Sequence, residues 1–175
     1  MFDQWQQPLD IPLLIRQGAT LQGEARISEL SQTAGQAGGR LHGVVLNDAP
    51  VHYVLNFARD AQGRAVIHGV VETAVELTCQ RCLQPVSVPI HAELALGVVQ
   101  DEAAAKKLPD SLEPLLLGDD PIRLADLIED EILLALPVVP RHEHVCVPAH
   151  REHEGAEGAD NPFAALRGLV KPPTH

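Results

Sequence analysis

The feature that most constrains this chain is a stretch of strict alternation near its middle. Val86, Val88, Ile90, Ala92, Leu94, Leu96 and Val98 occupy one phase, and Ser87, Pro89, His91, Glu93, Ala95 and Gly97 the other. Seven apolar positions in a period of two describe a strand with one face on a core. A helix turns about 100° per residue and would scatter the same side chains around its axis. Two earlier segments repeat the signal. Val51, Tyr53, Leu55 and Phe57 alternate with His52, Asn56 and Ala58, and after the turn residues Asp60-Ala61-Gln62-Gly63 a Val-rich run from Val66 to Thr78 places Ile67, Val71, Val75 and Leu77 at odd spacing. The short connection makes the second strand antiparallel to the first. Pro89 cannot donate to a ladder, which puts the start of the third strand at an edge or a bulge. An antiparallel, strongly curved sheet is therefore expected over residues 40–99, either open or barrel-like, with His42, His52, His68 and His91 lying in its strands as structural side chains.

The flanks read as helical pieces and loops. Leu9 to Leu30 mixes short apolar pieces with Pro12, Gly18 and Gly23, and Ser28 is placed to cap a short helix. Gly35, Gly38 and Gly39 mark a loop. Asp101 to Gly118 carries Pro109 and Pro114 and no period, so a loop with one short helical turn is expected. Asp120-Pro121 opens a helix over 121–136, where Leu124, Leu127, Ile128, Ile132 and Ala135 recur at helical spacing and Asp126, Glu129 and Asp130 form the solvent face. Arg141 to Asp160 is acidic and His-rich, with too little apolar content to pack. At the end Asn161 can cap, Pro162 fits the first helical position, and Phe163, Leu166, Leu169 and Val170 supply a stripe. The expected architecture is α+β: residues 1–140 as a single domain with a packed amphipathic helix and short terminal helices, 141–160 as a linker, and 161–175 as a short C-terminal helix and tail.

Charge and composition narrow the function. The chain of 175 residues carries −11 with histidines neutral, and the acidity is uneven: six basic against nine acidic residues in 1–100, seven against fifteen in 101–175. That opposes nucleic-acid binding through a broad basic surface, and an aromatic share of 3% leaves few rings to stack on bases. Arg16, Arg26, Arg40 and Arg59 remain as a local patch for a direct RNA-binding or RNA-processing reading. No apolar run reaches the roughly 18 to 20 residues of a membrane span, and Met1 to Gln7 lacks a basic region followed by an apolar one, so a soluble cytoplasmic protein is expected.

Three cysteines, Cys79, Cys82 and Cys146, favour metal or thiol chemistry over a disulfide framework. Cys79-Gln80-Arg81-Cys82 falls in a turn between two expected strands, where two thiolates can converge on one ion. A closed structural zinc site needs four ligands. Arg141-His142-Glu143-His144-Val145-Cys146 offers the remainder, with His142 and Cys146 spaced to clamp a metal from one loop and His144 or His150 as substitutes for the fourth place. The competing reading is a pair of free thiols and solvated histidines. A redox role for Cys79 and Cys82 expects the pair to open a helix, and here another strand follows. The carboxylates Asp126, Glu129, Asp130 and Glu131 read as a solvated helix face rather than a catalytic group. A Gly-rich phosphate loop, a Gly-x-Ser-x-Gly elbow and a His-Glu-x-x-His helix are all missing from the sequence, and only four serines are present. Catalysis is not expected. The segment carrying Asn161, Pro162, Phe163 and Leu166 follows a polar stretch and can either fold back or dock on a partner, with Phe163 and Leu166 carrying the contact.

Three segments in order resemble one bacterial family. They are Val75-Glu76-Leu77-Thr78-Cys79-Gln80-Arg81-Cys82-Leu83, then Glu129-Asp130-Glu131-Ile132-Leu133-Leu134-Ala135-Leu136-Pro137-Val138-Val139-Pro140, then Asn161-Pro162-Phe163-Ala164-Ala165-Leu166. This trio is similar to the YceD-type proteins, the large ribosomal RNA subunit accumulation proteins. The resemblance implies a non-enzymatic ribosome biogenesis factor that promotes 23S rRNA synthesis, processing or accumulation during large-subunit assembly. It further implies a large-subunit ribosomal protein or pre-ribosomal particle as partner, with rRNA contacted indirectly and neither membrane nor small-molecule substrate. Relatives richer in cysteine place one shortly after the Leu-Pro-x-x-Pro segment and another four residues later, at the positions of His142 and Cys146, which implies a Cys79, Cys82, His142, Cys146 set for one structural zinc ion.

Overall fold

The computed structural model describes residues 5, 7–30 and 40–146. They form a mixed α+β fold with one five-stranded sheet and few helices. The strands are β1 (Thr20–Arg26), β2 (Pro50–Arg59), β3 (Ala65–Thr78), β4 (Pro85–Val99) and β5 (Glu113–Leu116); the helices are α1 (Ile11–Gln17), α2 (Ile27–Leu30), α3 (Glu102–Ala105) and α4 (Leu124–Ala135). Strand order follows chain order, β1-β2-β3-β4-β5, and β1 and β5 are opposite edges, so the sheet is open and not a barrel.

The alternation fixes the register. Val51 pairs with Thr73, Tyr53 with Val71 and Phe57 with Ile67, and the long β3–β4 ladder sets Val71 against Ala92 and Val75 against Val88. One phase is largely buried in β2, β3 and β4, with Val51, Leu55, Ile67, Val71 and Val75 fully enclosed. Each such side chain contributes about 1.5–3 kcal/mol by leaving water. The other phase faces solvent over most of the sheet, where Glu24, His52, Glu72 and His91 stand in one row across four strands, but at the far end Val66, Gly97 and Val99 are buried on it as well.

Several expectations are corrected. The sheet is wider than 40–99, because β1 and β5 join it, and it is not wholly antiparallel, because β5 runs parallel to Leu96–Val99. β1 leaves no alternation in the sequence because Ala25 is its only buried residue. β5 is a four-residue edge strand containing Pro114, which offers no period. Residues 40–49 hold no strand of the sheet, and His42 makes only an isolated bridge with Val45. Pro89 lies in the part of β4 that β5 does not flank. In the acidic connector, the short helical turn is α3, capped by the Asp101 carboxylate, which accepts from the Ala104 N–H.

α1 and α4 pack on the buried face, α1 against β2 and α4 against β3 and β4. Asp10 Oδ1 accepts the Leu13 N–H at 2.9 Å to start α1, and Gly18 ends it in the left-handed region. Ser28 does not cap from outside; it lies within α2, and its N–H donates to Asp48 Oδ1. α4 begins at Leu124 rather than 121, because Arg123 is extended and bridges Pro8 while its N–H donates to Asp126 Oδ2. It stops at Ala135 because Pro137 drives Leu136 out of helical geometry. Trp5 is buried edge-on against Tyr53, ring centroids 5.4 Å apart, and its carbonyl accepts from the Ala125 N–H.

The largest departure is Glu129. It is not on a solvent face but buried at 1% exposure, accepting the Arg40 and Leu41 N–H groups at 2.9 and 3.2 Å and the Arg40 guanidinium at 3.2 Å. The same guanidinium pairs with Asp130 and donates to the Asp126 carbonyl. Arg40 thereby fastens residues 40–41 to α4.

Candidate metal centre

The hairpin turn between β3 and β4 carries the first two cysteines. Cys79 donates its N–H to the Gln84 carbonyl at 2.9 Å, and the Leu83 N–H returns to the Cys79 carbonyl at 2.9 Å. Leu83 closes this knuckle at φ 62, a left-handed conformation uncommon for leucine. Cys79 is fully buried and Cys82 partly so.

The chain beyond α4 comes back to this turn. Pro137 ends the helix, the Gln80 N–H donates to the Pro140 carbonyl at 2.8 Å, and residues 141–146 follow along the knuckle. Cys79, Cys82, His142 and Cys146 then meet, with their four ligand atoms all within 4.8 Å of one another. Among the described residues this is the group of side chains that can hold a metal ion. His144 is not part of it: its ring lies beside that of His142, and its carbonyl accepts from Arg81. His150, Asn161, Pro162, Phe163 and Leu166 lie outside the described residues.

Two of the spacings match the edges of a tetrahedral centre. Zn–S bonds of about 2.3 Å at tetrahedral angles separate two sulfurs by about 3.8 Å, and replacing one sulfur by an imidazole nitrogen at about 2.0–2.1 Å shortens the edge to about 3.5 Å. Cys79 Sγ and Cys146 Sγ are 3.7 Å apart, and Cys82 Sγ and His142 Nδ1 are 3.5 Å apart. His142 is oriented for this role. Its Nε2 donates to the Pro85 carbonyl at 3.0 Å, which leaves the Nδ1 lone pair directed at the thiols.

Arg81, inside the Cys-x-x-Cys turn, completes the surroundings. Its Nε donates to Cys146 Sγ at 3.0 Å, and Nη2 donates to the His142 and His144 carbonyls at 3.0 and 2.5 Å. One guanidinium thus clamps the 142–146 segment and sets a positive charge beside a thiolate. Burial pushes the Cys79 thiol up, but N–H groups from Cys82, Arg81 and His142 outweigh it and bring Cys79 down to about 5. Burial likewise raises Cys146, and Arg81 and His142 more than reverse it. For Cys82 the Gln84 N–H favours the thiolate, yet burial and the neighbouring sulfurs leave the thiol raised. The sulfur of Cys146 raises His142. Crowded thiols that cannot all ionise together are the donor set that a divalent cation satisfies. The sequence signal for Arg81 is a cation between two paired cysteines, and its role depends on the 142–146 segment that it clamps.

The other sequence candidates separate. Asp126 serves the start of α4, and Glu129 and Asp130 hold Arg40, so these carboxylates have structural work. Arg26 reaches the Asp48 carbonyl and carboxylate, and with Arg40 also paired, the expected patch of Arg16, Arg26, Arg40 and Arg59 does not form as one surface of free cations. Cys79 and Cys82 lie between antiparallel strands and not at the start of a helix, unlike a thioredoxin-type pair. No described helix is long and apolar enough to cross a membrane.

A family model described as large ribosomal RNA subunit accumulation protein YceD matches residues 67–170, a span that takes in all four metal-site residues. The protein of that name from Haemophilus influenzae is 37% identical over 133 residues, 71% of this chain and 75% of the relative. No solved structure matches the chain. With the family model covering more than half of the chain and this relative aligned over most of both, the protein belongs to the YceD family of large ribosomal RNA subunit accumulation proteins.

Proposed function

We propose that this protein is a non-catalytic ribosome biogenesis factor of the cytoplasm, which promotes accumulation of 23S rRNA during large-subunit assembly by holding a large-subunit ribosomal protein or a pre-ribosomal particle. Membership of a family named for large ribosomal RNA subunit accumulation carries this reading. The charge supports indirect contact with rRNA. A chain at −11 attracts a basic ribosomal protein, accelerates encounter with it in a salt-dependent manner, and repels bare phosphate.

In this reading the metal centre is structural and holds one zinc ion through Cys79, Cys82, His142 and Cys146. Zinc supplies a cross-link that ties the segment after α4 to the β3–β4 hairpin, and four protein ligands leave no open position for substrate. That tie sets where the chain departs toward residues 147–175, whose Asn161, Pro162, Phe163 and Leu166 form the partner contact.

A strain lacking the gene tests the role. Mature 23S rRNA should fall relative to 16S, the wild-type chain should restore it, and Phe163→Ala should restore it only in part. An unchanged 23S to 16S ratio in the deletion strain would remove the functional reading.

A further inference from the structure

The four arginines that open the chain divide into two pairs. Arg26 and Arg40 meet acidic partners, as does Arg64 with Asp60. Arg16 and Arg59 have no carboxylate partner among the described residues, although acidic side chains outnumber basic ones in this chain by 24 to 13. Both line the same cavity of ≈ 250 Å³.

This cavity lies at one end of the sheet, far along the strands from the Cys-x-x-Cys hairpin. Arg16 comes from the last turn of α1, Arg59 is the final residue of β2, and Gln100 follows β4. Ile15, Val98 and Leu117 supply apolar wall, Ile15 being buried and the other two partly so. Arg59 is steadied by the hairpin it opens, since Nη1 donates to the Gly63 carbonyl at 2.7 Å. Among the described residues, none that lines the cavity is acidic. Two guanidinium groups therefore border one small space without a counter-charge from the described residues, and their mutual repulsion falls when an anion enters.

We infer that this cavity is a binding site for an aliphatic carboxylate, with the carboxylate between Arg16 and Arg59 and its hydrocarbon against Ile15, Val98 and Leu117. Guanidinium forks match a planar carboxylate. The volume falls just under the roughly 300 Å³ where ordinary ligand pockets begin, so the occupant is a short acid or the last residue of a peptide chain. Inorganic phosphate fits less well, because it has no apolar part to cover the walls.

Titration of the 15N-labelled full-length chain tests the site. The probes are pentanoate, inorganic phosphate, 1-pentanol, and acetyl-Ala-Leu as free acid and as amide. Pentanoate or the free-acid peptide should shift the amides of Ile15, Arg16, Ala65, Val98 and Gln100 saturably, with phosphate, pentanol and the amide each weaker by about tenfold or more. Tighter binding of the free-acid peptide identifies a chain terminus as the source, and tighter binding of pentanoate a free acid; both support the site. Arg16→Gln and Arg59→Gln, whose side chains are exposed, should keep the melting temperature and each lose about tenfold in affinity. Absence of saturable shifts up to about 50 mM, equal binding of pentanol or phosphate, or unchanged affinity in both variants overturns the inference.

Discussion

Glu129→Ala is the substitution whose cost can be worked most directly from the structure. Leu41 is buried at 1% exposure, and its N–H loses its acceptor, a penalty of about 1–3 kcal/mol. Shortening a fully enclosed side chain leaves a cavity worth about 1–2 kcal/mol more. The Arg40 side chain is 43% exposed, so water covers its freed guanidinium and that loss adds little. The expected destabilisation is about 3 kcal/mol, close to the lower end for breaking a buried charged pair. Glu129→Gln keeps one oxygen as acceptor and should cost about half as much. Asp130→Ala removes the other carboxylate that Arg40 contacts, but that side chain is 51% exposed and its loss should cost at most about 1 kcal/mol. Urea unfolding reports all three through the single tryptophan, Trp5, which is packed on Tyr53. In a thermal melt, about 3 kcal/mol corresponds to a drop of roughly 6–12 °C. Equal, small effects of Glu129→Ala and Asp130→Ala would refute the claim that Glu129 anchors residues 40–41 to α4.

Three further expectations follow from the packing and the metal centre. Purified protein should carry zinc near one per chain; His142→Ala should lose it and His144→Ala keep it, and Arg81→Ala should weaken it by about tenfold or more in competition with a chromophoric chelator. Ile132→Asp places a charge at a fully buried position and should cost more than about 4 kcal/mol or prevent folding, whereas Phe163→Ala should leave the melting temperature unchanged and reduce partner capture. A comparable fall in melting temperature for Phe163→Ala would count against a docking role. His91 is raised above the ordinary histidine value by Glu72 and Glu93, so its pairing adds stability below that ordinary value and loses it as pH rises through the folded-state one. Its NMR titration midpoint should move down in Glu72→Gln, and an unmoved midpoint would remove the Glu72 pairing as the cause.

The sheet was legible where one face is buried along a whole strand, as from Val51 to Phe57 and from Val86 to Val98. It was not legible at β1 or β5, whose burial depends on neighbours far away in sequence and leaves no alternation. The metal-site residues could be named from type and spacing, but the choice of His142 over His144 rests on the Pro85 carbonyl that fixes the His142 ring. Nothing in the run His142-Glu143-His144 encodes that acceptor. Glu129 did leave a signal: it stands four residues after Ala125 and three before Ile132, both buried, and so shares their face. Its partner Arg40 is 89 residues away, beyond any local pattern.

The assembly role is tested most directly by recovering the tagged protein from its own cells at low and at moderate salt, identifying what accompanies it, and measuring zinc in the same eluate. Large-subunit ribosomal proteins or precursor particles should be present at low salt and leave as salt rises, with zinc near one per chain in both eluates. An eluate without large-subunit material at low salt would contradict the proposed function, even if the metal were fully bound.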